Sequence, residues 1–316
     1  MLRPLGTTGL SIAPLVFGGN VLGWTADRAT SFRLLDAFID GGGTMIDTAD
    51  IYSAFAPGLA GGESETVIGE WLAQGDGRRD RVQIATKVGL MPHPGGCPLD
   101  RAHIEAAIDG SLARLRTDHV ELYFAHKDDA ETPLEDTLSA FDGLVKAGKV
   151  GAIGASNHSA DRIATALDIS ARNGLAAFGV IEPLYNLLER DAFEGSLQQV
   201  AIERELGVIP FFGLASGFLT GKYRRTADAE GKARGPWIDK YLNDRGFALV
   251  DALVAVADDA RATPAQVALA WLAARPGVTA PIASATSIAQ LDELLAAMRL
   301  QLSPAQIAAL DTTSAS

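Results

Sequence analysis

Short apolar segments recur at regular intervals along this chain, and their spacing constrains the fold more than any other feature. Each has the length and composition of a buried β-strand, and the residues between them carry helical patterns. All intervals but the last lie between 28 and 38 residues, the length of one strand and one helix. Seven or eight such units predict an α/β fold, a (β/α)8 TIM barrel that occupies residues 1–316 as a single domain. The segments begin near Met45, Val82, Val120, Val150, Phe178, Val208 and Thr279, after a weaker one at residues 15–18.

An open, doubly wound sheet is the main alternative for repeated strand-helix units. A dinucleotide-binding sheet of that kind needs a Gly-x-Gly-x-x-Gly turn after its first strand, and the sequence contains none. The repeat therefore favours the closed barrel.

The helical patterns predict the outer layer of the barrel. Ser64 and Ser303 are placed to cap two of these helices, and Pro304 suits the first turn of the last one. The predicted helices cover residues 29–40, 64–72, 104–115, 134–147, 161–173, 193–206, 248–259, 264–274 and 302–311.

Two segments lie outside the regular repeat. The last interval, of 71 residues, predicts extra helices before the final strand, with a long charged and glycine-rich loop at residues 221–244. Long loops after barrel strands lie on the catalytic face, so this insertion is expected to help shape a site. At the start of the chain, residues 2–14 predict a β-hairpin that plugs the N-terminal mouth of the barrel.

Charge and cysteine content exclude several classes of function. A formal net charge of -12 argues against nucleic acid and anionic membranes as partners, because both require clustered Lys and Arg. The single cysteine, Cys97, excludes an internal disulfide and indicates a reducing compartment. The N-terminus has no signal-peptide pattern, and no apolar run approaches the roughly 20 residues that span a bilayer. We therefore predict a soluble, cytoplasmic protein.

Polar side chains follow three consecutive predicted strands. Asp47 and Tyr52 come after the first, Lys87 ends the second, and His126 ends the third. In a barrel these positions share one face, so the four side chains are expected to meet there. Any one of them alone could be a capped strand end. A metal site would need three or four ligands, and only Asp47, Asp50 and His126 are candidates, so we predict none.

Together, the four residue types suit proton transfer to a substrate oxygen. A tyrosine with a pKa of about 10 is a poor acid, and a neighbouring ammonium lowers that pKa by favouring the phenolate. Lys87 would supply this charge and Asp47 would hold Lys87 by an ion pair. His126 would hydrogen-bond the substrate oxygen.

Three sequence stretches resemble the signatures of the aldo-keto reductases, a family that includes the potassium-channel β subunits. These stretches are residues 43–52, 85–87 and 124–126, and the similarity extends from about residue 5 to residue 294. The resemblance implies an (α/β)8 barrel and a catalytic tetrad. Residue by residue, that tetrad maps onto Asp47, Tyr52, Lys87 and His126.

The resemblance also implies an extended nicotinamide cofactor, NADP with NAD also possible. Ser156 and Asn157 would bind the carboxamide and Phe211 would stack on the ring, whereas Thr286 and Gln290 match positions near the adenosine. Helix capping is the alternative role for Ser156, Thr286 and Gln290. The implied cofactor contacts are Gly19, Asn20, Asp47, Ser156, Asn157, Glu182, Phe211, Leu214, Ser216, Lys222, Arg234, Thr286, Gln290 and Glu293.

The sequence departs from the family pattern in four respects. Glu182 replaces a glutamine, Leu294 replaces an asparagine near adenine, and residues 127–129 lack the usual aromatic or basic residue followed by proline. Ser284 and Thr286 stand where NADP-binding members often have Lys or Arg, which leaves the cofactor preference open.

We expect an open substrate pocket that tolerates varied aldehydes, ketones or sugars, because the C-terminal tail is short. Its predicted wall consists of Trp24, Phe55, His93 and Trp237. The expected activity is interconversion of a carbonyl and its alcohol, by a protein that could form a homo-oligomer. The alternative is a cofactor-sensing subunit like those of potassium channels, with little turnover.

Overall fold

The protein's computed structural model describes residues 2–91, 99–230 and 235–315. In these ranges the chain forms an antiparallel hairpin followed by eight parallel strands. Almost every residue of the parallel strands is buried, as expected for a sheet that is covered on both faces. The strands are the hairpin pair β1 (Arg3–Pro4) and β2 (Ser11–Ile12), then β3 (Val16–Gly18), β4 (Met45–Asp47), β5 (Gln83–Val88), β6 (Val120–Ala125), β7 (Val150–Ser156), β8 (Phe178–Glu182), β9 (Gly207–Val208) and β10 (Ile282–Ala283).

The parallel strands close into a barrel. Each strand from β3 to β8 pairs with the next one in the chain, and β10 pairs with β3. Between β9 and β10, the backbone N–H groups of Thr279 and Ile282 donate to the carbonyls of Val208 and Pro210, at 2.8 and 2.9 Å. The predicted (β/α)8 barrel is therefore confirmed.

Helices surround the barrel, and the predicted ones are present with ends shifted by a few residues. The nine predicted ranges left out two single-turn helices and the helix that follows the last strand. The helices of the described ranges are α1 (Arg28–Asp40), α2 (Glu63–Leu72), α3 (Arg78–Arg81), α4 (Arg101–Leu115), α5 (Leu134–Lys146), α6 (Ala160–Asn173), α7 (Ser196–Glu203), α8 (Gly235–Ile238), α9 (Asp244–Ala260), α10 (Pro264–Ala273), α11 (Ile288–Ala297) and α12 (Pro304–Ser314).

One of the two predicted helix caps is confirmed and one is wrong. Ser303 caps α12 by accepting from the backbone N–H of Gln306 at 3.2 Å. Ser64, by contrast, lies inside α2, which begins after Gly62. Its buried hydroxyl donates to the Gly19 carbonyl instead, at 2.8 Å. A serine one residue inside a helix and a capping serine look alike in the sequence, because both precede the same apolar pattern.

The N-terminal hairpin closes the bottom of the barrel, as predicted. Leu5 and Ile12 are fully buried in the cluster of side chains that fills the barrel interior. Between them Gly6 has a φ of +56°, and a Cβ there would lie 2.2 Å from the Gly207 nitrogen and 2.4 Å from the Gly179 oxygen. Only glycine permits this approach to the first residues of β8 and β9.

The long insertion between β9 and β10 contains more helix than the sequence predicted. The expected loop at residues 221–244 includes α8 and two 3-10 turns, Thr226–Ala229 and Asp239–Tyr241, and α9 then starts at Asp244. Before it, the 3-10 segment Ala215–Thr220 is kinked at Ser216 and Gly217, which have φ values of +57° and +93°. No helix of the described ranges is long and apolar enough to cross a membrane.

Candidate active site

Three strand ends bring the predicted tetrad together at the C-terminal face of the barrel. Asp47 is the last residue of β4, Lys87 lies near the end of β5, and His126 directly follows β6. The parallel register pairs Asp47 with Ala85 and Lys87 with Phe124, so the three positions rise in steps around the barrel. Tyr52 reaches the same place from the turn after β4.

Lys87 is the centre of the hydrogen-bond network. Its fully buried ammonium donates to Asp47 Oδ1, to the Thr48 carbonyl at 3.0 Å and to the Tyr52 hydroxyl at 2.9 Å. An ammonium has three N–H donors, so these contacts use all of them. The Tyr52 hydroxyl donates in turn to Asp47 Oδ2 at 3.0 Å.

Lys87 is charged in this environment. Burial lowers the pKa of Lys87, but the charges of Asp47 and Glu182 outweigh burial and hold that pKa above its ordinary value. The Glu182 carboxyl lies at the end of β8, with Oε1 at 3.4 Å from Lys87 Nζ. The network therefore contains a permanent positive charge next to the tyrosine hydroxyl.

The net pKa shift of Tyr52 is opposite to the prediction. Burial and then the negative charge of Asp47 raise the pKa of Tyr52 well above its ordinary value. Lys87 acts in the predicted direction and lowers this pKa, but its effect is smaller. Tyr52 is consequently a neutral phenol in the free protein, which is the form that can donate a proton. The sequence indicated the ammonium but not how deeply the tyrosine would be buried.

His126 is a neutral imidazole at the cavity wall. Burial, and to a smaller extent the charge of Lys87, lower the pKa of His126 well below its usual range. Its Nδ1 is buried without a hydrogen-bond partner among the described residues. The imidazole ring meets the Tyr52 ring edge-on, with centroids 6.1 Å apart. A neutral imidazole carries one N–H, which suits it to hold a substrate oxygen near the phenol.

An open cavity of about 910 Å³ lies above these four residues. It is large enough for an elongated cofactor and a small substrate together. Tyr52 and His126 line it near the barrel axis. The predicted cofactor residues that also line it are Asn20, Asp47, Ser156, Asn157, Glu182, Phe211, Leu214, Ser216, Lys222, Thr286, Gln290 and Glu293.

Two predicted cofactor residues are not among the described residues that line this cavity. Gly19 is buried behind the neighbouring Asn20, which lines the cavity and whose Oδ1 accepts from the Ser284 hydroxyl at 2.6 Å. Arg234 lies outside the described residues.

The cavity wall near Tyr52 suits a planar amide such as nicotinamide. Ser156 donates its hydroxyl proton to the Glu182 carbonyl at 2.8 Å and accepts from Asn157 Nδ2 at 3.1 Å. Because a hydroxyl oxygen has two lone pairs, Ser156 keeps one acceptor position. The ring of Phe211 is half-buried in the same wall. An acceptor beside an aromatic ring fits an amide N–H on a flat heterocycle.

The far end of the cavity suits phosphate groups. Helix α11 begins there, and Ser287 rather than Thr286 caps it by accepting from the Gln290 N–H at 3.3 Å. Thr286 instead donates its N–H and hydroxyl to Gln290 Oε1, at 2.9 and 3.0 Å. The positive end of a helix attracts anions, and Lys222 adds an ammonium to the cavity lining.

Three of the four predicted substrate residues form an aromatic mouth. Phe55 and Trp237 line the cavity, with ring centroids 5.8 Å apart. Trp24 packs against both, at 5.0 Å from Phe55 and 5.8 Å from Trp237, without lining the cavity itself. His93 lies outside the described residues. The mouth therefore offers an apolar surface to a substrate.

Sequence analysis missed a buried polar cluster behind the tetrad. Glu65, from α2, is fully buried and accepts from the Thr86 hydroxyl at 2.6 Å and from Arg114 Nε at 2.7 Å. Thr86 precedes Lys87 on β5, and successive strand residues face opposite sides. Because Lys87 faces the barrel interior, the alternation of side chains along β5 could have placed Thr86 between the sheet and the helices. A buried hydroxyl in that layer needs a hydrogen-bond partner.

Two other buried polar residues were missed at the strand ends. His158 Nδ1 lies 2.7 Å from the Ser156 carbonyl, and Asn186 donates to the Phe212 carbonyl at 3.0 Å. They fix the backbone next to Ser156 and Phe211. Their signal in the sequence was position, because each follows a predicted strand within a few residues.

Asp50 is a buried carboxyl whose ionisation is unfavourable. Its Oδ1 has no hydrogen-bond partner in the described part of the chain. Burial, reinforced by the negative charge of Glu65, raises the pKa of Asp50 to about 7. The folded protein therefore binds more protons than the unfolded chain between the ordinary Asp pKa of 3.8 and pH 7. Stability should fall as pH rises through this window and level off above it.

Replacement of Asp50 with asparagine is expected to remove this pH dependence. The variant cannot ionise, so its stability relative to the wild type should increase from about pH 4 to about pH 7, by an amount on the order of a few kcal/mol. Urea unfolding of both proteins at several pH values measures the difference. Parallel stability curves would contradict the raised pKa of Asp50.

Comparison with known proteins adds an independent finding. Residues 14–315 match the model of the Aldo/keto reductase family. The chain is 34% identical over 305 residues to an uncharacterized oxidoreductase, YrpG, of Bacillus subtilis (strain 168), covering 94% of this chain and 91% of that protein. It is 31% identical to a probable voltage-gated potassium channel subunit beta of Arabidopsis thaliana, covering 94% and 90%. It is 30% identical to Protein tas of Escherichia coli (strain K12), covering 96% and 94%.

Proposed function

Because this chain belongs to the aldo/keto reductase family, we propose that it is an NADP(H)-accepting oxidoreductase that interconverts an aldehyde, ketone or sugar carbonyl and its alcohol. The observation that carries the proposal is the hydrogen bond from Lys87 to the Tyr52 hydroxyl, at 2.9 Å, beside the neutral His126 on an open cavity. The cytoplasmic location remains part of the proposal and rests on the single cysteine.

Each tetrad residue has a distinct task in carbonyl reduction. A bound nicotinamide cofactor supplies the hydride. Tyr52 turns its O–H from Asp47 to the substrate oxygen and donates the proton, while His126 holds that oxygen by its N–H. Lys87 then stabilises the phenolate left on Tyr52, because its N–H already points at the phenolic oxygen. Asp47 keeps Lys87 in place and charged.

The cofactor would lie along the cavity from Phe211 to helix α11. Ser156 and Asn157 would hold the carboxamide, and Ser216 and Lys222 would lie over the phosphates. Hydrogen-bond acceptors at one end of the cavity suit the carboxamide N–H groups. The ammonium of Lys222 and the N-terminus of α11 suit the negatively charged phosphates.

A screen of carbonyls and alcohols with both nicotinamide cofactors tests the proposal. Reaction is followed by the absorbance of the reduced cofactor. We expect many turnovers per protein molecule with at least one substrate class, aromatic aldehydes included because the mouth is lined by Phe55 and Trp237. Absence of turnover with every class, from protein that binds the cofactor, would contradict an enzymatic role.

The second candidate is a cofactor-sensing subunit, because relatives at 31% and 32% identity are named potassium channel β subunits. The same tetrad could serve either role. Single-turnover and multiple-turnover measurements on bound NADPH separate the two. A sensor would oxidise its bound cofactor once with an aldehyde and then stall, whereas an enzyme would exchange the cofactor and continue.

We predict that NADP(H) is accepted with only weak discrimination against NAD(H). Near α11 the cavity offers Thr286 and Gln290, which can hydrogen-bond a 2′-phosphate but cannot neutralise it. Lys222, which lines the cavity, or Arg234 would have to supply the charge. A charge-assisted hydrogen bond is roughly twice as strong as a neutral one. Without a basic residue at the start of α11, the difference in affinity between NADP(H) and NAD(H) should therefore be smaller.

Fluorescence titration of wild type and Lys222→Met with both cofactors measures that preference. We expect the variant to lose affinity for NADPH more than for NADH. A preference of about a thousandfold for NADPH, roughly 4 kcal/mol, would contradict the prediction because it requires a basic residue near the 2′-phosphate.

A further inference from the structure

The ring of Phe211 depends on a strained turn that directly follows it. Phe212 has a φ of +56°, in the left-handed region that a bulky residue rarely adopts. Such a conformation persists only where the surrounding structure fixes it. The Phe212 carbonyl accepts from Asn186 Nδ2 at 3.0 Å and from the Ala215 N–H at 2.7 Å. Asn186 therefore helps to hold the backbone that presents Phe211 to the cavity.

The segment of residues 183–186, directly after β8, pairs with this turn. The Phe211 N–H donates to the Pro183 carbonyl at 3.0 Å, and the Tyr185 N–H donates to the Phe211 carbonyl at 3.4 Å. Leu184 and Phe211 form a single parallel bridge. Any displacement of segment 183–186 would therefore move the Phe211 ring.

An arginine network ties this segment to the C-terminal helix α12. The Tyr185 hydroxyl donates to Glu194 Oε1 at 2.6 Å, and Arg190 donates to both oxygens of Glu194, from Nε and Nη2 at 2.9 Å each. From its Nη1, Arg190 also donates to the Asp311 carbonyl at 3.0 Å and to Ser314 Oγ at 2.9 Å. Arg190 thus joins the carboxylate that holds Tyr185 to the end of α12.

This connection depends on the shape of the arginine side chain. A guanidinium has five N–H donors in a planar fork, and Arg190 directs two to a carboxylate and two to the helix end. Carbonyls in the last turn of a helix lack intrahelical partners and attract positive charge, so the end of α12 suits Arg190. A lysine carries the same charge but cannot reproduce both sides of the fork.

A second contact connects α12 to the same segment. The Tyr185 ring packs against the ring of Trp271, with centroids 5.7 Å apart. Trp271 Nε1 donates to Asp311 Oδ1 at 2.8 Å, and Arg275 Nη1 contacts both oxygens of Asp311, at 3.0 and 2.9 Å. Helix α12 therefore supports both the hydroxyl and the ring of Tyr185.

We propose that Arg190 is a positioning residue that, together with α12, fixes the Phe211 ring for the nicotinamide of the bound cofactor. This inference rests on the proposed function, because it takes Phe211 as the residue that stacks on the nicotinamide. Arg190 is not among the described residues that line the cavity, so it acts through Tyr185 and segment 183–186. The adenosine end of the cofactor would lie at α11, outside this network. Loss of the Arg190 fork should therefore weaken binding at the nicotinamide end alone.

Calorimetric titration with NADPH and with 2′-phospho-ADP-ribose, which lacks the nicotinamide, tests the proposal. In Arg190→Lys we expect the Kd for NADPH to rise about tenfold, which corresponds to roughly one lost aromatic stacking contact. The Kd of the fragment should change by less than about twofold, because the groups at α11 are untouched.

Arg204→Lys is the matched control, because Arg204 forms an exposed ion pair with Asp168, at 2.9 Å, outside the network. Both Kd values should stay as in the wild type. If Arg190→Lys does not fold, Ser314→Ala removes one acceptor of Arg190 from α12. It should raise the Kd for NADPH relative to that for the fragment by about twofold or more.

The ratio of the two Kd values separates a positioning role from a structural one. A purely structural role would lower the midpoint of thermal unfolding and leave this ratio unchanged, and that result would overturn the proposal. Equal weakening of NADPH and fragment binding would overturn it as well. The proposed function fails on a different result, a wild type that binds NADPH and turns over no carbonyl.

Discussion

Tyr52→Phe is expected to lower kcat by about 10²- to 10⁴-fold while leaving cofactor affinity nearly unchanged. The substitution removes only the hydroxyl, which donates to Asp47 and accepts from Lys87. Lys87 keeps its contacts to Asp47 and the Thr48 carbonyl, so the ammonium remains in place. Steady-state kinetics and fluorescence titration of the cofactor measure the two effects. If more than about a tenth of kcat remains, Tyr52 is not the proton donor.

Tyr123→Phe is the matched control for this experiment. Tyr123 lies on β6 with its ring 5.3 Å from that of Phe141, on the helix-facing side of the barrel. Its buried hydroxyl has no hydrogen-bond partner among the described residues. Removal of an unpaired buried hydroxyl should leave stability unchanged or slightly increased and should not affect kcat. A comparable fall in kcat for both variants would indicate that loss of any buried tyrosine hydroxyl slows the enzyme, rather than loss of the proton donor.

The barrel and the meeting of the tetrad were predictable because both depend on strand order alone. In a closed parallel sheet every strand ends on the same face, so Asp47, Lys87 and His126 had to approach each other once the repeat was recognised. No knowledge of side-chain packing was needed. The same reasoning placed the hairpin plug, since residues before the first strand have only the N-terminal mouth available.

The protonation states at the site were not predictable, because they depend on burial and on contacts between strands distant in sequence. Lys87 suggested a lowered pKa for Tyr52, yet burial and Asp47 reverse the net shift. Glu182 comes from β8, and its Oε1 lies 3.4 Å from Nζ of Lys87 on β5. A sequence gives the residue types, but it does not show which acceptors the three N–H groups of Lys87 contact.

Side-chain direction limited the prediction at the edges of the site. Trp24 and Phe55 both follow early strands and looked equivalent in the sequence. In the fold, Phe55 lines the cavity and Trp24 packs behind it. The difference depends on the long insertion, whose Trp237 contacts both rings. Loop conformations of this kind are set by tertiary packing rather than by local pattern.

Lys87→Met is expected to slow carbonyl reduction roughly 10²- to 10³-fold, because it removes the donor that stabilises the phenolate of Tyr52. Loss of the ammonium should also raise the pKa of Tyr52 further, since Lys87 is the group that lowers it. In alcohol oxidation, where Tyr52 must act as a base, the rate should therefore begin to rise at a higher pH than in the wild type. The pH-rate profile in both directions measures the shift. An unchanged profile would mean that Lys87 only holds Asp47.

The same substitution should destabilise the fold in a pH-dependent way. Removing one partner of a buried ion pair typically costs about 3–5 kcal/mol, because the other charge is left unpaired. Because the pKa of Lys87 is raised in the folded protein, the stability that Lys87 contributes is fully present below pH 10.5, its ordinary pKa. At lower pH the carboxyls therefore determine how stability changes with pH. Without Lys87, the folded-state pKa of Asp47 lies still further above its unfolded value, and stability is lost as pH rises above about 4.

The stability gap between wild type and Lys87→Met should thus widen from acid to neutral pH in urea unfolding. Lys149→Met is the control, since Lys149 forms an exposed pair with Asp109 and exposed pairs contribute little. A gap that stays constant with pH would show that the buried carboxyls do not depend on Lys87 for their charge. Because kinetics and unfolding report on different partners of Lys87, agreement between them would establish the ammonium as the group that links Tyr52 to its carboxyls.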